Sequence, residues 1–413
     1  MNDTTPPRAA AASMIVEDMA WCWWTRPRAV RLGDILYLGA LNALGEIVVA
    51  EVDVPTGATR RSLLARFEDD DHNNPAIVVE PGRPLVAFYS RHDADDALRY
   101  RISVRPTDIS EWREERVLTF GGVTTYAEVH VRGDDLYLFT RVDETRWGYR
   151  RSRDFAETWE AAKDFLAFDT DQQVYMATAL LADKRTLRVA VSGHPKEYEK
   201  KPLHDVFAAV VDLETGAVTH PGDGKVIAHL YDGTGLPLDY RDLERVHDTP
   251  SERTVNLLDV SDGPDFEVGF VSKIKDDRST RDARYHVTTL RDGVWRTEDI
   301  VGAGAKFGYI DAGFYVGGMA FPERSPGGCV YLTREADGLW YLERFDRNAA
   351  GIFTPRLLLP ASATRLTRPW AVTNPADGLE VVALALERYG EEYFGWLSHP
   401  VTAGFIAPGA SRR

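Results

Sequence analysis

A turn signal that returns at nearly regular intervals is the feature that most constrains how this chain folds. Short runs rich in β-branched and aromatic residues flank each turn, as Ala76–Val79 and Leu85–Tyr89 flank Gly82. The turns lie near residues 33, 82, 133, 184, 263, 325 and 377. They are spaced by about 50 residues, with longer steps around 263, and a second strand pair follows almost every hairpin. The sequence therefore predicts an all-β fold, a seven-bladed β-propeller with four-stranded antiparallel blades.

The repeat also predicts the domain boundaries. We expect residues 1–13 to form a disordered tail, residues 14–400 a single propeller domain and residues 401–413 a C-terminal tail. The seventh period ends after one further strand, Tyr393–Ser398, and Met14–Ala20 would supply its partner and close the ring. The extra length before residue 263 comes from a charged insertion, Pro195–Pro202, and a loop region, Asp232–Pro250.

One turn carries a known structural signature. Ser152–Trp159 (SRDFAETW) matches the Asp-box pattern S-x-D-x-G-x-T-W, with Ala156 where glycine is usual. In this motif the serine and aspartate bind turn amides while the tryptophan packs between strands. We therefore expect its role to be structural.

Composition and charge exclude several classes of function. The net charge of −15 disfavours nucleic acids and anionic membranes as partners. No segment approaches the ~18 uninterrupted apolar residues that a membrane helix needs. Cys22 and Cys329 form neither a disulfide framework nor a zinc signature, and we expect both to be buried. The first residues show no secretory signal, which predicts a cytoplasmic location, or secretion if the natural beginning is missing. We expect the protein to be a monomer.

Polar side chains flank three consecutive hairpins symmetrically. In a propeller, the residue before the first strand of a blade and the residue after its second strand share one rim of the central channel. His72 and His92 hold these positions around Gly82. The three blades together present six such side chains: His72 and His92, Tyr126 and Arg141, and Tyr175 and His194. Titratable groups gathered in a concave site favour catalysis. Taken singly, each would be structural, and Glu68–Asp71 would be a solvated loop that caps amides.

Several motifs resemble those of a known family. Trp21–Trp24 (WCWW), Asp70–Pro75 (DDHNNP) and Phe88–His92 (FYSRH) are similar to motifs of the BNR-repeat propellers that include ulvan lyases and rhamnosyl-glucuronate lyases. Ser192–Pro195 and Tyr315–Gly318 extend the resemblance over nearly the whole chain. It implies a seven-bladed propeller with these lyase site residues: His72, His92, Tyr126 and Arg141. It implies substrate-binding roles, more loosely, for Asn73, Tyr175 and His194.

The residue types suit β-elimination at a 4-linked glucuronate. Arg141 would neutralise the uronate carboxylate by forked hydrogen bonding, which makes the C5 proton easier to remove. Tyr126 could take that proton as phenolate and return it to the C4 oxygen, because both lie on one face of the sugar. His72 or His92 would lower the pKa of Tyr126 or act as the base instead. The sequence does not assign base and acid among these three residues. No metal is needed for this chemistry, and a structural calcium or zinc ion is compatible with it.

Two other functions remain open at this point. A sialidase-like glycoside hydrolase shares the fold and the Asp box, but needs an arginine cluster and a tyrosine–glutamate pair. A non-catalytic carbohydrate-binding propeller would explain the many tryptophans without any chemistry. We predict a polysaccharide lyase whose substrate is an anionic oligosaccharide or polysaccharide, rhamnose-containing as in ulvan or rhamnosyl-glucuronate. Whether it cuts within a chain or from an end is left open.

Overall fold

The computed structural model describes residues 13–194, 204–275, 281–304, 316–324, 327–376, 379–386 and 401–406. They form strands and two short 3-10 turns, Asp71–Asn73 and Tyr240–Asp242. The strands of the first half are β1 (Ser13–Glu17), β2 (Ala29–Leu32), β3 (Ile35–Leu41), β4 (Glu46–Asp53), β5 (Thr59–Arg66), β6 (Ala76–Val78), β7 (Pro84–Tyr89), β8 (Leu98–Pro106), β9 (Arg116–Leu118), β10 (Thr124–Arg132), β11 (Asp135–Val142), β12 (Arg146–Ser152), β13 (Lys163–Ala167), β14 (Gln173–Leu180) and β15 (Thr186–His194).

The second half continues the same pattern of short antiparallel strands. They are β16 (Val206–Asp212), β17 (Ala217–Thr219), β18 (Val226–His229), β19 (Glu244–His247), β20 (Arg253–Val260), β21 (Phe266–Ile274), β22 (Arg284–Arg291), β23 (Val294–Gly302), β24 (Gly318–Ala320), β25 (Cys329–Ala336), β26 (Leu339–Arg347), β27 (Phe353–Leu357), β28 (Arg365–Ala376), β29 (Leu379–Leu386) and β30 (Val401–Ile406). No helix among the residues that the structure describes is long and apolar enough to cross a membrane.

The predicted hairpins all form, and they build an all-β propeller with four-stranded antiparallel blades. The strands that flank each predicted turn form an antiparallel pair: β2–β3, β6–β7, β10–β11, β14–β15, β20–β21, β24–β25 and β28–β29. The inner strands are largely buried because they read as nearly continuous apolar runs, such as Val174–Ala179 in β14. The loop region predicted at 232–250 contains β19, which pairs with β16 and so extends the sheet of the fourth hairpin. The predicted insertion Pro195–Pro202 lies outside the described residues.

The blade count differs from the prediction. The described strands form six sheets, not seven, because one sheet has eight strands in the order β1-β30-β29-β28-β2-β3-β4-β5. The two four-strand groups within it are joined by a parallel pair at Val30 and Thr373. The prediction of seven separate blades was therefore wrong, since the first and last hairpins share one hydrogen-bonded sheet.

The N-terminal strand closes the last group of strands, with a partner that the sequence did not predict. β1 pairs antiparallel with β30, from Ser13–Phe405 to Glu17–Thr402. The sequence prediction paired Met14–Ala20 with Tyr393–Ser398, which lies outside the described residues. It also assigned residues 401–413 to a tail, whereas Val401–Ile406 is a paired strand, so the domain extends past residue 400. Residues 1–12 and 407–413 of the predicted tails are not described.

After β1, the segment Trp21–Arg28 connects several blades across the middle of the ring. The Cys22 amide donates to Asn74 Oδ1 (3.0 Å), and the Arg26 amide donates to the Ala127 carbonyl (2.8 Å). Trp21 and Arg368, 347 positions apart, exchange bonds: the indole donates to the Arg368 carbonyl and the guanidinium to the Trp21 carbonyl. This segment therefore links β28 to the inner strands of other blades. Cys22 and Cys329 are free and buried, as predicted.

The Ser152–Trp159 turn shows the bonding that its residue types favour. Ser152 Oγ accepts the Ala156 amide (2.9 Å), and Asp154 accepts the amide and hydroxyl of Thr158 (2.8 and 2.6 Å). Trp159 packs edge-on against Phe88 of β7, on the neighbouring blade, with ring centroids 5.8 Å apart. Ala156 has a φ of 70°, a left-handed conformation that explains why glycine is usual there.

Candidate active site

The Asp70–Pro75 block folds into a capped 3-10 turn that sets His72 in place. Asp70 is the N-cap and its side chain accepts the His72 amide at 3.0 Å. Asp70, Asp71, His72 and Asn73 are all at most 4 % exposed. The alternative interpretation of Glu68–Asp71 as a solvated loop is therefore wrong for Asp70 and Asp71, while Glu68 and Asp69 are partly exposed and the capping function is present. Burying carboxylates requires charged partners, and the neighbouring side chains supply them.

His72 and His92 form one unit around Asp70. Their rings stack with centroids 4.0 Å apart and an interplanar angle of 11°. One Asp70 oxygen accepts from His72 Nδ1, and the other accepts from His92 Nδ1 at 2.8 Å. Asn73 Oδ1 accepts the His92 amide at 2.7 Å, which fixes the backbone beyond β7. The hairpin symmetry therefore predicted the meeting of the two rings, and Asp70 holds them there.

These contacts shift the ionisation of the buried groups. Burial alone would lower the pKa of His72, but Asp70 and Asp71 raise it well above its usual value. Burial alone would raise the pKa of Asp70, but the two imidazoles hold it far below its usual range. The pKa of Asp71 is also lowered against burial, mainly by Arg368 and then by His72. We conclude that His72 is an imidazolium and both aspartates are carboxylates at neutral pH.

Tyr126 and Arg141 meet at a break in the β10–β11 ladder. Thr125 pairs with Arg141 and Glu128 with Phe139, so the register shifts across Tyr126 and Ala127. Tyr126 has a φ of 68°, a conformation that is costly for a bulky residue and often marks a functional site. The Arg141 guanidinium carbon lies 4.7 Å from the centre of the Tyr126 ring. The tyrosine lies 5.7 Å from His72, centroid to centroid.

Asp93 connects this pair to the histidines, and the sequence analysis did not single it out. It accepts from Arg141 Nη2 at 3.2 Å and from Thr125 Oγ1 at 2.9 Å, and its carboxylate lies 3.0 Å from His92 Nε2. Burial would raise the pKa of Asp93, but His92 and Arg141 lower it well below its usual range. Its position immediately after His92 was the only sequence signal for this role.

Tyr175 and His194 lie on the other side of Tyr126, together with a tryptophan that the sequence analysis had not placed at the site. The Tyr175 and His194 rings are 5.3 Å apart, edge to face, and Tyr175 is 6.0 Å from Tyr126. Trp24 stacks on Tyr175 at 3.9 Å and lies 5.7 Å from Tyr126. It comes from the crossing segment Trp21–Arg28, so its position depends on tertiary contacts that no strand pattern reveals.

The cluster is more buried than a position at an open channel mouth suggests. Tyr126 and Arg141 are each 1 % exposed, and Tyr175 is 3 % exposed. The His92 side chain keeps 16 % of its surface and the Asp93 side chain 33 %, and His194 is also partly exposed. The accessible edge of the site is therefore formed by His92, Asp93 and His194.

Three of these residues also have the composition of a metal site. Asp70, His72 and His92 offer ligand atoms that all lie within 4.8 Å of one another, and nitrogen and oxygen ligands suit zinc. However, both Nδ1 atoms donate to Asp70, so a metal would have to replace the two hydrogen bonds that align the rings.

Fold and site together define a β-propeller with a polar cluster at one end of its channel. A family model described as "BNR repeat-containing family member" matches residues 22–254. This is more than half of the chain, so the protein belongs to the BNR repeat-containing family. No curated protein sequence matches it.

Solved structures show the same fold at low sequence identity. A polysaccharide lyase of the PL25 ulvan lyase family is 14 % identical with a TM-score of 0.72, over 97 % of this chain and 95 % of that chain. The same figures hold for a PL25 ulvan lyase bound to -[GlcA(1-4)Rha3S]-. The polysaccharide lyase Uly1 is 13 % identical with a TM-score of 0.60, over 94 % and 92 % of the two chains. At this identity the similarity establishes the fold.

Proposed function

We propose that this protein is a polysaccharide lyase that cleaves a 4-linked glucuronate, next to rhamnose, by β-elimination. The observation that carries the proposal is the convergence of Tyr126, Arg141 and the His72–His92 pair from consecutive hairpins. The proposal also rests on the fold shared with ulvan lyases, one of them bound to a glucuronate–rhamnose oligosaccharide. The substrate is thus an anionic oligosaccharide or polysaccharide.

Both histidines are engaged by carboxylates, which leaves them poorly placed to accept a proton from a substrate. His72 donates from Nδ1 towards Asp70 and Asp71. His92 faces a carboxylate at each ring nitrogen, Asp70 at 2.8 Å and Asp93 at 3.0 Å. Each ring nitrogen of His92 therefore already faces a carboxylate, and neither is directed towards a substrate. This favours Tyr126 as the proton carrier among the three candidates.

In the proposed reaction, Tyr126 as phenolate removes the proton from C5 of the glucuronate. The electrons of that C–H bond form the C4–C5 double bond, and the C4–O bond breaks. The phenol then returns the proton to the leaving oxygen. The charges of Arg141 and His72 stabilise the phenolate, and Arg141 also neutralises the uronate carboxylate. A guanidinium has five N–H donors and Asp93 takes one of them, so donors remain for a substrate.

Substrate would approach from the edge formed by His92, Asp93 and His194. Because Tyr126 and Arg141 are almost fully buried, contact with a sugar requires side chains at this edge to move. Tyr175 and His194 would then line the approach, and Asn73 would keep the His92 backbone in place. This arrangement supports binding roles for Tyr175 and His194 rather than proton transfer.

The two alternatives draw less support from the contacts. A sialidase-like site needs several arginines on one carboxylate. Arg141 binds Asp93, while Arg368, the other arginine beside the described cluster, is bound to Asp71 and the Trp21 carbonyl. A purely binding propeller explains the stacked Trp24 and Tyr175, but gives no reason for the costly backbone conformation of Tyr126.

The test is to assay glucuronate-containing oligosaccharides for an ultraviolet-absorbing unsaturated product with wild type and Tyr126→Phe. The variant removes one hydroxyl, so turnover should fall by about 10²-fold or more while folding persists. Tyr149→Phe is the matched control, because Tyr149 is equally buried and packs on Phe139, away from the cluster. A fully active Tyr126→Phe would reject Tyr126 as the proton carrier. Loss of activity in both variants would show a general packing defect.

A further inference from the structure

A cavity of about 480 Å³ lies at the opposite end of the channel from the candidate active site. The inner strands run from one to the other: β10 begins beside Tyr126 and lines the cavity at Val129–Val131, and β14 does so at Thr178–Leu180. Tyr126 and His130 are four positions apart along β10, a separation of up to roughly 13 Å. The cavity is therefore distinct from the histidine cluster. Its size falls within the range of small-molecule pockets.

A buried ion network closes the inner end of this cavity. Arg26 from the crossing segment binds Asp259 through Nη1 and the Leu258 carbonyl through Nη2 (2.8 Å). Its Nε lies 3.6 Å from Glu128 Oε1, and neither of these two atoms makes a hydrogen bond within the described residues. Arg26, Glu128 and Asp259 are all at most 6 % exposed. A ligand in the cavity would thus meet a fixed polar wall and would not pass through to the lyase site.

The side walls add oriented hydrogen-bonding groups. With Glu128 as a carboxylate, Thr178 donates its hydroxyl proton to it, and His130 Nε2, 2.6 Å from Thr178 Oγ1, then donates to Thr178. His130 Nδ1 is then an acceptor. Burial lowers the pKa of His130 to about 3, so this ring is neutral. The indole Nε1 of Trp370, another lining residue, is buried and has no hydrogen-bond partner in the described part of the chain.

The charges around the cavity balance, which indicates a neutral ligand. The lining includes four cationic side chains and four carboxylates: Arg26, Arg31, Lys184 and Arg324, and Glu80, Asp259, Asp262 and Glu323. Arg26 is paired with Asp259, and Arg324 lies 3.8 Å from Glu323. Between these polar groups the walls are apolar and include the rings of Phe321 and Trp370. Donors, acceptors and aromatic faces around a neutral cavity match the alternating hydroxyl groups and C–H faces of a sugar ring.

We propose that this cavity is a second ligand site that binds a neutral monosaccharide-sized polyol. Its hydroxyl groups would accept from Trp370 Nε1 and Arg26 Nε and donate to His130 Nδ1. The ring would lie against the aromatic and aliphatic wall. The site is independent of the lyase proposal, because it uses no residue of the histidine cluster.

Isothermal titration calorimetry with rhamnose, galactose and glucose tests this site, with glucuronate and inorganic phosphate as anionic comparisons. Wild type should bind at least one neutral sugar saturably, with a Kd of about 1 mM, and bind phosphate more weakly. Thr373→Trp should reduce that affinity at least tenfold, because Thr373 lines the cavity. Thr354→Trp, on exposed β27, is the matched control and should bind as wild type does.

His130→Phe provides a second variant, since it keeps a ring but removes the acceptor. It should also lose at least tenfold in affinity while cleavage of uronate substrates, if present, is unchanged. Circular dichroism identifies a variant that fails to fold. The sugar affinity of the other, folded variant then tests the proposed site. Absence of saturable sugar binding by wild type, tighter binding of phosphate, or unchanged affinity in the folded variants would each overturn the proposal.

Discussion

Asp70 and Asp93 each bind two of the side chains that the proposed chemistry needs. Asp70 accepts from both histidines, and Asp93 contacts His92 and Arg141 across two hairpins. Hydrogen bonds to charged groups contribute more than neutral ones. The two aspartates therefore hold in position the side chains that surround Tyr126.

Asp93→Asn should show whether Asp93 positions Arg141 and His92 for catalysis or only stabilises the fold. The amide keeps the size of the side chain but removes the charge, so Arg141 loses a charged hydrogen-bond partner worth about 1.5–3 kcal/mol, and His92 loses the carboxylate beside Nε2. We expect kcat on uronate substrates to fall roughly 10- to 100-fold, with a shifted pH profile. Asp96→Asn is the control, because Asp96 binds the amides of Phe120 and Gly121 instead. Equal kinetics and pH profiles for the two variants would exclude a positioning role.

His72 predicts a pH dependence of stability. Its pKa is raised well above 6.5 in the folded protein, so the native state binds a proton that the unfolded state releases. The resulting stability is fully present below about pH 6.5 and is lost as the pH rises through the folded pKa. Urea unfolding between pH 6 and pH 9 should show a falling free energy of unfolding for wild type. His72→Gln should show a smaller decline, and an identical decline would contradict the assignment.

At the residue scale, the sequence predicted the pairs that flank hairpins but missed the residues that hold them. His72 and His92, or Tyr126 and Arg141, are related by a local turn, so their separation from that turn indicates their proximity. Trp24 reaches Tyr175 from a segment about 150 residues away, by a route that depends on the whole ring. The burial of the Asp70–Asn73 block was missed for the same reason, because acidic runs are usually solvated.

At the scale of elements, hairpins could be predicted and their assembly could not. Each hairpin depends on a turn and two adjacent apolar runs, which are local signals. The parallel pair between β2 and β28 joins residues 30 and 373, and no local pattern specifies it. That pair changes the expected seven blades into six. The partner of β1 was missed likewise, since β1 and β30 pair across almost the whole chain, from residue 13 to residue 405.

Deletion of the N-terminal strand tests its part in closing the sheet. Without β1, β30 loses its outer partner and leaves an exposed edge. Arg61 also loses its bond to the Glu17 carbonyl. We expect a deletion of residues 1–17 to lower the melting temperature by several degrees relative to a deletion of residues 1–12, which leaves β1 intact. Equal melting temperatures for the two truncated proteins would mean that β1 contributes little.

At the scale of the whole molecule, the channel has two chemically different ends. One end gathers Tyr126, Arg141 and the histidine pair, and the other is a charge-balanced cavity. The segment Trp21–Arg28 serves both, since Trp24 stacks on Tyr175 and Arg26 closes the cavity. A single crossing segment therefore lies between the two sites and contributes a side chain to each.

The masses of the products from a glucuronate–rhamnose oligosaccharide test the central claim most directly. β-Elimination adds no water, so the product masses should sum to the mass of the substrate, and one product should carry an unsaturated uronate. Tyr126→Phe should yield the same products at least about 10²-fold more slowly. Products heavier in total by one water per cleavage would mean hydrolysis, and the lyase assignment would be wrong.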